Sequence, residues 1–142
     1  MDYSYNYNYT ADAATTGLFA GAMLVWTLIW MALGLLMIIS MWKIFTKAGK
    51  PGWASIIPIY NLIVMLEVIG KPLWWIVLYL VPFVNIVIGI IIAIELGKVF
   101  GKGAGWAIIF LIILPFIGYP WLGFGKDQYT QPAATPPAAP AQ

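Results

Sequence analysis

Apolar residues along this chain gather into four long blocks, at about 18–42, 53–69, 73–94 and 106–124, set apart by short turns rich in glycine and lysine. The first block carries no charge. As a helix it would run roughly 37 Å at ~1.5 Å per residue, enough to cross ~30 Å of hydrocarbon with some tilt. Trp42 and Lys43 suit an interface at its end, and Gly17-x-x-x-Gly21 at its start would let a second helix approach or simply begin this one.

The other three blocks repeat one pattern: lysine, a Trp-headed apolar run, proline, then Asn or Gly three residues later. The copies are Lys50-Pro51-Gly52-Trp53 to Pro58-Ile59-Tyr60-Asn61, Lys71-Pro72-Leu73-Trp74 to Pro82-Phe83-Val84-Asn85, and Lys102-Gly103-Ala104-Gly105-Trp106 to Pro115-Phe116-Ile117-Gly118. Inside a helix Pro58, Pro82 and Pro115 would deprive the carbonyls of Ala54, Leu78 and Leu111 of their donors, and lipid offers no replacement. Asn61 and Asn85 are placed to bond such carbonyls across a kink or to cap a second half-helix.

Two topologies fit these blocks. If all four cross the membrane, Lys43, Lys47, Lys50, Lys98 and Lys102 share one side while Lys71 and Lys126 face the other. If the last three are re-entrant hairpins, all seven lysines share a side. Charge bias favours hairpins; block length favours full crossings. The fold class expected is an all-α integral membrane protein with four hydrophobic helical segments, fully crossing, the last three interrupted by proline. The lysine-rich turn at 43–52 is then cytoplasmic and the lysine-free N-terminus lies outside.

The ends read differently. Residues 1–17 alternate Tyr3, Tyr5, Tyr7 and Tyr9 with Asn and Ser, offer little aliphatic surface, and are expected as a disordered tail, with a strand as the alternative. Residues 18–127 form the expected transmembrane domain, and 128–142 a Pro/Ala-rich disordered tail. A cleaved secretory signal is not expected, because 1–17 holds no basic residue and the following apolar run is too long.

Composition agrees with a lipid solvent: 63% hydrophobic residues, 8% charged and a mean hydropathy of +0.91 leave too little polar surface to cover a water-soluble globule. Seven Lys, no Arg and a net charge of +2 do not make the footprint of a nucleic-acid binder. With neither Cys nor His, thiolate nucleophiles, Cys/His zinc sites, Ser-His-Asp triads and His or Cys haem ligation are excluded. The expected partners are the lipid bilayer and, within it, a second copy or another membrane protein. No cofactor, metal or catalytic residue is assigned.

The motifs Ala48-Gly49-Lys50-Pro51-Gly52-Trp53, Ile57-Pro58-Ile59-Tyr60-Asn61, Gly70-Lys71-Pro72, Val81-Pro82-Phe83-Val84-Asn85 and Leu122-Gly123-Phe124-Gly125 cover 48–129. Together they resemble a family of small bacterial multi-pass membrane proteins classed as a domain of unknown function, whose members often carry a signal peptidase I label. The resemblance implies a bacterial plasma-membrane location and no established activity.

Four features are weighed for chemistry. Glu67 and Glu95 lie in apolar runs, where a carboxylate suggests function, but Lys71 and Lys98 stand four and three residues on and would pair with them at an interface. Asn61 and Asn85 on proline-broken segments match the pattern of a transporter site, against the plainer role of repairing the break. Ser40 and Lys43 stand one turn apart like a Ser-Lys dyad, yet Lys43 borders a solvated lysine-rich turn and no oxyanion hole accompanies it. Gly97 and Gly101-Lys102 miss the phosphate-loop spacing by one residue. The reading reached is a non-enzymatic membrane packing or partner-binding module. Its alternatives are a small oligomeric transporter or channel and a signal-peptidase-related module.

Overall fold

The computed structural model describes residues 4–132, with side chains from Asp12 onward. It is all-helical, with no strand among the described residues, so the helical class expected from the blocks holds. The chain divides between Leu35 and Leu36 into two units, where a single domain over 18–127 was expected.

The first unit is the N-terminal part of α1 (Ser4–Lys47). Within α1, which runs on into the second unit, the stretch Asp12–Lys47 is the one helix among the described residues that is long and apolar enough by itself to cross a membrane. Residues 1–3 of the expected disordered tail lie outside the described residues, and helix over its remainder, 4–17, is explained by propagation. Once the apolar segment is helical, each added residue gains a backbone bond without a new nucleus, and Ala11, Ala13 and Ala14 are strong helix formers.

The second unit, from Leu36 on, holds the end of α1 and three hairpins. Each has a short leading arm, a proline tip and a returning helix. The first arm is the 3₁₀ turn Gly52–Ser55 and its return is α2 (Pro58–Val68). The second pairs α3 (Trp75–Tyr79) with α4 (Val84–Val99). The third pairs α5 (Ala104–Ala107), continued by the π-helix Ile108–Ile113, with α6 (Pro115–Phe124). α4 is central, packing on α3, α2, α5 and the π-helical arm. The core gathers Ile44, Phe45, Leu66, Val68, Leu96 and Leu122, each no more than 1% exposed.

The tip prolines stand differently from the expectation. The prolines do not interrupt helices; Pro58 and Pro115 begin them, at the first helical position, where the missing N–H would have had no partner anyway. The chain reverses at these points: Ala104–Ile113 and Pro115–Phe124 meet at 117°. The Leu78 carbonyl, expected to be orphaned, accepts from Val81 N at 3.2 Å. Each of the last three blocks contains an arm, a turn and all or part of a second helix, so none of them is one continuous helix.

The third tip depends on a glycine. A Cβ on Gly118 would stand 2.1 Å from the Phe110 carbonyl oxygen, so the returning helix lies directly against the backbone of its own arm. Gly118→Ala is therefore expected to destabilise the protein by about 1–3 kcal/mol through overpacking. Gly105→Ala, where a Cβ meets nothing within 4 Å, is the control. Thermal unfolding in detergent checks this, and equal melting of both variants would contradict the close approach.

Candidate functional site: a lysine end and a tyrosine-lined cleft

Three helices end alike. α1 closes with Gly49 N–H to Thr46 O and Lys50 N–H to Phe45 O, α2 with Gly70 to Glu67 and Lys71 to Leu66, and α4 with Gly101 to Lys98 and Lys102 to Gly97. Each glycine has φ near +70°, the left-handed position of a Schellman cap that L side chains resist. Lys50, Lys71 and Lys102 are the residues just past a glycine cap. They put charge where the helix dipole is negative.

Ion pairs bring these ends together. Lys50 meets Glu67 at 2.8 Å; Glu95 takes both Lys98 at 3.0 Å and Lys71 at 3.9 Å; Lys102 meets Asp127 at 2.9 Å. α6 ends at Gly125, whose N–H bonds Trp121 O at a φ of −67° and not in the left-handed position, and Lys47 adds to this end by donating to the carbonyls of Leu122, Gly125 and Asp127. The C-terminal ends of α1, α2, α4 and α6 therefore meet. Had the blocks crossed alternately, Lys71 and the 125–127 segment would lie a bilayer away from Lys50 and Lys98.

Aromatic rings line this end. Lys71 stands 5.5 Å from the Trp75 ring, and Lys102 stands 5.4 and 5.9 Å from those of Trp106 and Trp121. Cation–π attraction is the natural pairing for an ammonium beside Trp. Residues after α6 are tied down too, where a disordered tail was expected from 128. Tyr129 donates its hydroxyl to Val68 O at 2.8 Å, and Thr130 N–H bonds Val99 O at 2.7 Å. Burial pushes the Tyr129 phenol above its ordinary pKa. The rest of that tail, 133–142, lies outside the described residues.

The opposite, proline-tipped end is apolar. Ile59 is 71% exposed, Leu80 77%, Phe83 84% and Ile113 65%, so the tips present bare hydrocarbon. Just inside them is a cleft of about 450 Å³ lined by Pro58, Asn61, Leu62, Met65, Tyr79, Gly89, Ile92 and Tyr119, from all three hairpins.

The sequence candidates fall as follows. Asn61 lines the cleft and donates from Nδ2 to Ser55 O at 3.2 Å, which is the repair across the break that its position suggested. Asn85 is exposed, outside the cleft lining, and among the described residues its side chain has no hydrogen bond. Pro58 joins Asn61 at the cleft; Pro82 and Pro115 stand at the other two tips. Glu95 pairs with Lys98 as expected and adds Lys71, whereas Glu67 takes Lys50 in place of the expected Lys71. The Lys71 backbone closes the α2 cap, and its side chain reaches Glu95 and Trp75. Ser40 is fully buried and donates to Leu36 O at 2.6 Å, so its hydroxyl is engaged along its own helix. The amides of Gly101 and Lys102 are consumed by the α4 cap and cannot cradle a phosphate. Among the described residues no three His, Cys, Asp or Glu gather as a metal site. The cleft tyrosines were missed; the signal was Tyr79 three residues before one tip proline and Tyr119 four after another.

The second unit is an all-helical module of three proline-tipped hairpins with a shared lysine end. The chain belongs to a family of unknown function, DUF5684, whose model matches residues 53–132, the three hairpins together with the Tyr129 strap. No curated protein and no solved structure shows significant similarity to it.

Lys47 is the cap on which α6 depends. Lys47→Met is expected to destabilise by about 1.5–3 kcal/mol, the worth of hydrogen bonds to a charged donor. Exposed Lys43→Met should change stability by less than ~0.5 kcal/mol. Denaturation in detergent reads both, and equal effects would remove Lys47 from this role.

Proposed function

We propose that this chain is a non-enzymatic membrane module in which 18–42 crosses the bilayer once and three hairpins enter from the lysine side and return to it. The carrying observation is Glu95 held between Lys71 and Lys98. A charged contact of this kind fits both lysines at one interface. The polarity of the hairpins supports the same arrangement, with cations and Trp at one end and bare Ile, Leu and Phe at the tips.

Length supports it as well. α2 and α6, with 11 and 10 residues, are about 15–17 Å long at ~1.5 Å per residue, half of the ~30 Å hydrocarbon thickness. They fit an insertion to mid-depth. All seven lysines then face the cytoplasm with three acids, Glu67, Glu95 and Asp127, and the N-terminus lies outside. The partner is the bilayer itself, with anionic headgroups facing the lysine end.

The non-enzymatic reading rests on engaged groups: the Ser40 hydroxyl is bonded to its own helix, and both intramembrane-block acids are paired with lysines. A packing module needs those groups where they are. A peptidase would need the serine free and beside a neutral lysine.

Since the chain has no cysteine, single substitutions report sidedness without background. In intact cells, Cys at 50, 71, 98 and 126 is expected to resist a membrane-impermeant thiol reagent, while Ala14→Cys is labelled. Labelling at 71 and 126 with protection at 50 and 98 would restore the four full crossings and sink this reading.

A further inference from the structure

The cleft near the tips is floored by a glycine in mid-helix. Gly89 stands in α4, where glycine is a poor helix former, and a Cβ built on it meets nothing within 4 Å. Packing therefore does not require glycine there. What the missing side chain does is leave room, and the room opens onto Tyr79, Tyr119 and Asn61.

The lining has a defined chemistry. It holds no charged side chain, so an ion placed there would be desolvated without a counter-charge. Its polar groups are two phenols and one amide, set among Leu62, Met65, Ile92 and Pro58. Among the described residues neither phenol has a hydrogen-bond partner, and the Asn61 amino group is already held by Ser55 O. The volume lies within the ~300–1,000 Å³ of small-molecule sites, whose usual make-up is an apolar wall with a few convergent polar groups. Asn61, Tyr79 and Tyr119 each stand within about a turn of a tip proline, so the cleft lies toward the apolar end of the hairpins.

We propose that this cleft binds an uncharged, lipid-soluble molecule through carbonyl oxygens that accept hydrogen bonds from Tyr79 and Tyr119, with its apolar body against Leu62, Met65 and Ile92. Two sources supply such carbonyls, a prenylated ring ketone or the esters of a neutral glyceride. Lateral access from lipid rests on the membrane reading. Binding itself does not, and it is measured in detergent, where sidedness has no influence.

The test is equilibrium dialysis of the purified full chain with two labelled probes, a decyl-substituted benzoquinone and dioctanoylglycerol, beside dioctanoyl phosphatidylglycerol as the charged counterpart. Saturable binding of one neutral probe is expected, and which one binds identifies the source. Tyr119→Phe should weaken it about fivefold, the worth of one neutral hydrogen bond. Gly89→Leu fills the cleft and should abolish binding, while Gly105→Leu, outside the lining, should retain it; unchanged melting of both leucine variants shows that they fold. Saturable binding of neither neutral probe, binding untouched by Gly89→Leu, or equal binding of phosphatidylglycerol overturns the proposal.

Discussion

On the proposed membrane reading, backbone amides and carbonyls with no water to turn to are the constraint on which this fold depends. In an apolar environment each unmatched group costs several kcal/mol, more than any single packing contact contributes. A chain that reverses three times within apolar sequence must therefore turn without leaving donors bare. Proline at the first position of α2 and α6 answers half of this, because a residue without an N–H cannot leave one unsatisfied. The glycine caps of α1, α2 and α4 answer the other half, by folding two amides back onto the last carbonyls.

Those caps create a second problem, and the lysines resolve it. Four helices presenting their C-terminal ends together concentrate the negative poles of four dipoles. Cations at the residue after each cap, and Lys47 across the end of α6, offset that field where it is strongest. Three acids then pair with the lysines, and Glu95 ties two of them together. Such pairs, between a quarter and a half exposed, contribute modestly each; their consequence is register, since Glu95 can reach both Lys71 and Lys98 only if α2 and α4 end at one level.

What could be read from the sequence follows the range of each argument. Helical class and the Glu95–Lys98 pair rest on composition or on neighbours within one turn, and both stand in the structure. Glu67 shows where local arithmetic stops: Lys71 is four residues on, but the cap turns its backbone away and Lys50, seventeen residues earlier, takes the carboxylate. The lysine count and block length point to different topologies, and block length cannot separate one long helix from an arm and its return. The cleft was illegible for a related reason. Pro58, Tyr79, Gly89 and Tyr119 share no local pattern, and only the meeting of three hairpins makes them neighbours.

The second tip departs from the other two, and magnitudes explain why it is tolerated. Pro82 does not open α4; the helix begins at Val84, and Phe83 between them has φ of 68°, a conformation that aromatic residues resist. The Val84 amide turns back to Pro82 O at 2.9 Å, closing a γ-turn, and the Asn85 amide reaches Val81 O at 3.0 Å. Strain of this kind costs about 1–3 kcal/mol. An unpaired amide at the same place, next to a phenylalanine that is 84% exposed at an apolar tip, would cost several. Relaxing Phe83 to negative φ would break the γ-turn and leave the Val84 donor bare, so the strained turn is the lower-energy choice wherever water is absent. In water the balance reverses, because solvent would satisfy that amide for nothing. On the proposed membrane reading, the backbone at Phe83 therefore suits its apolar surrounding.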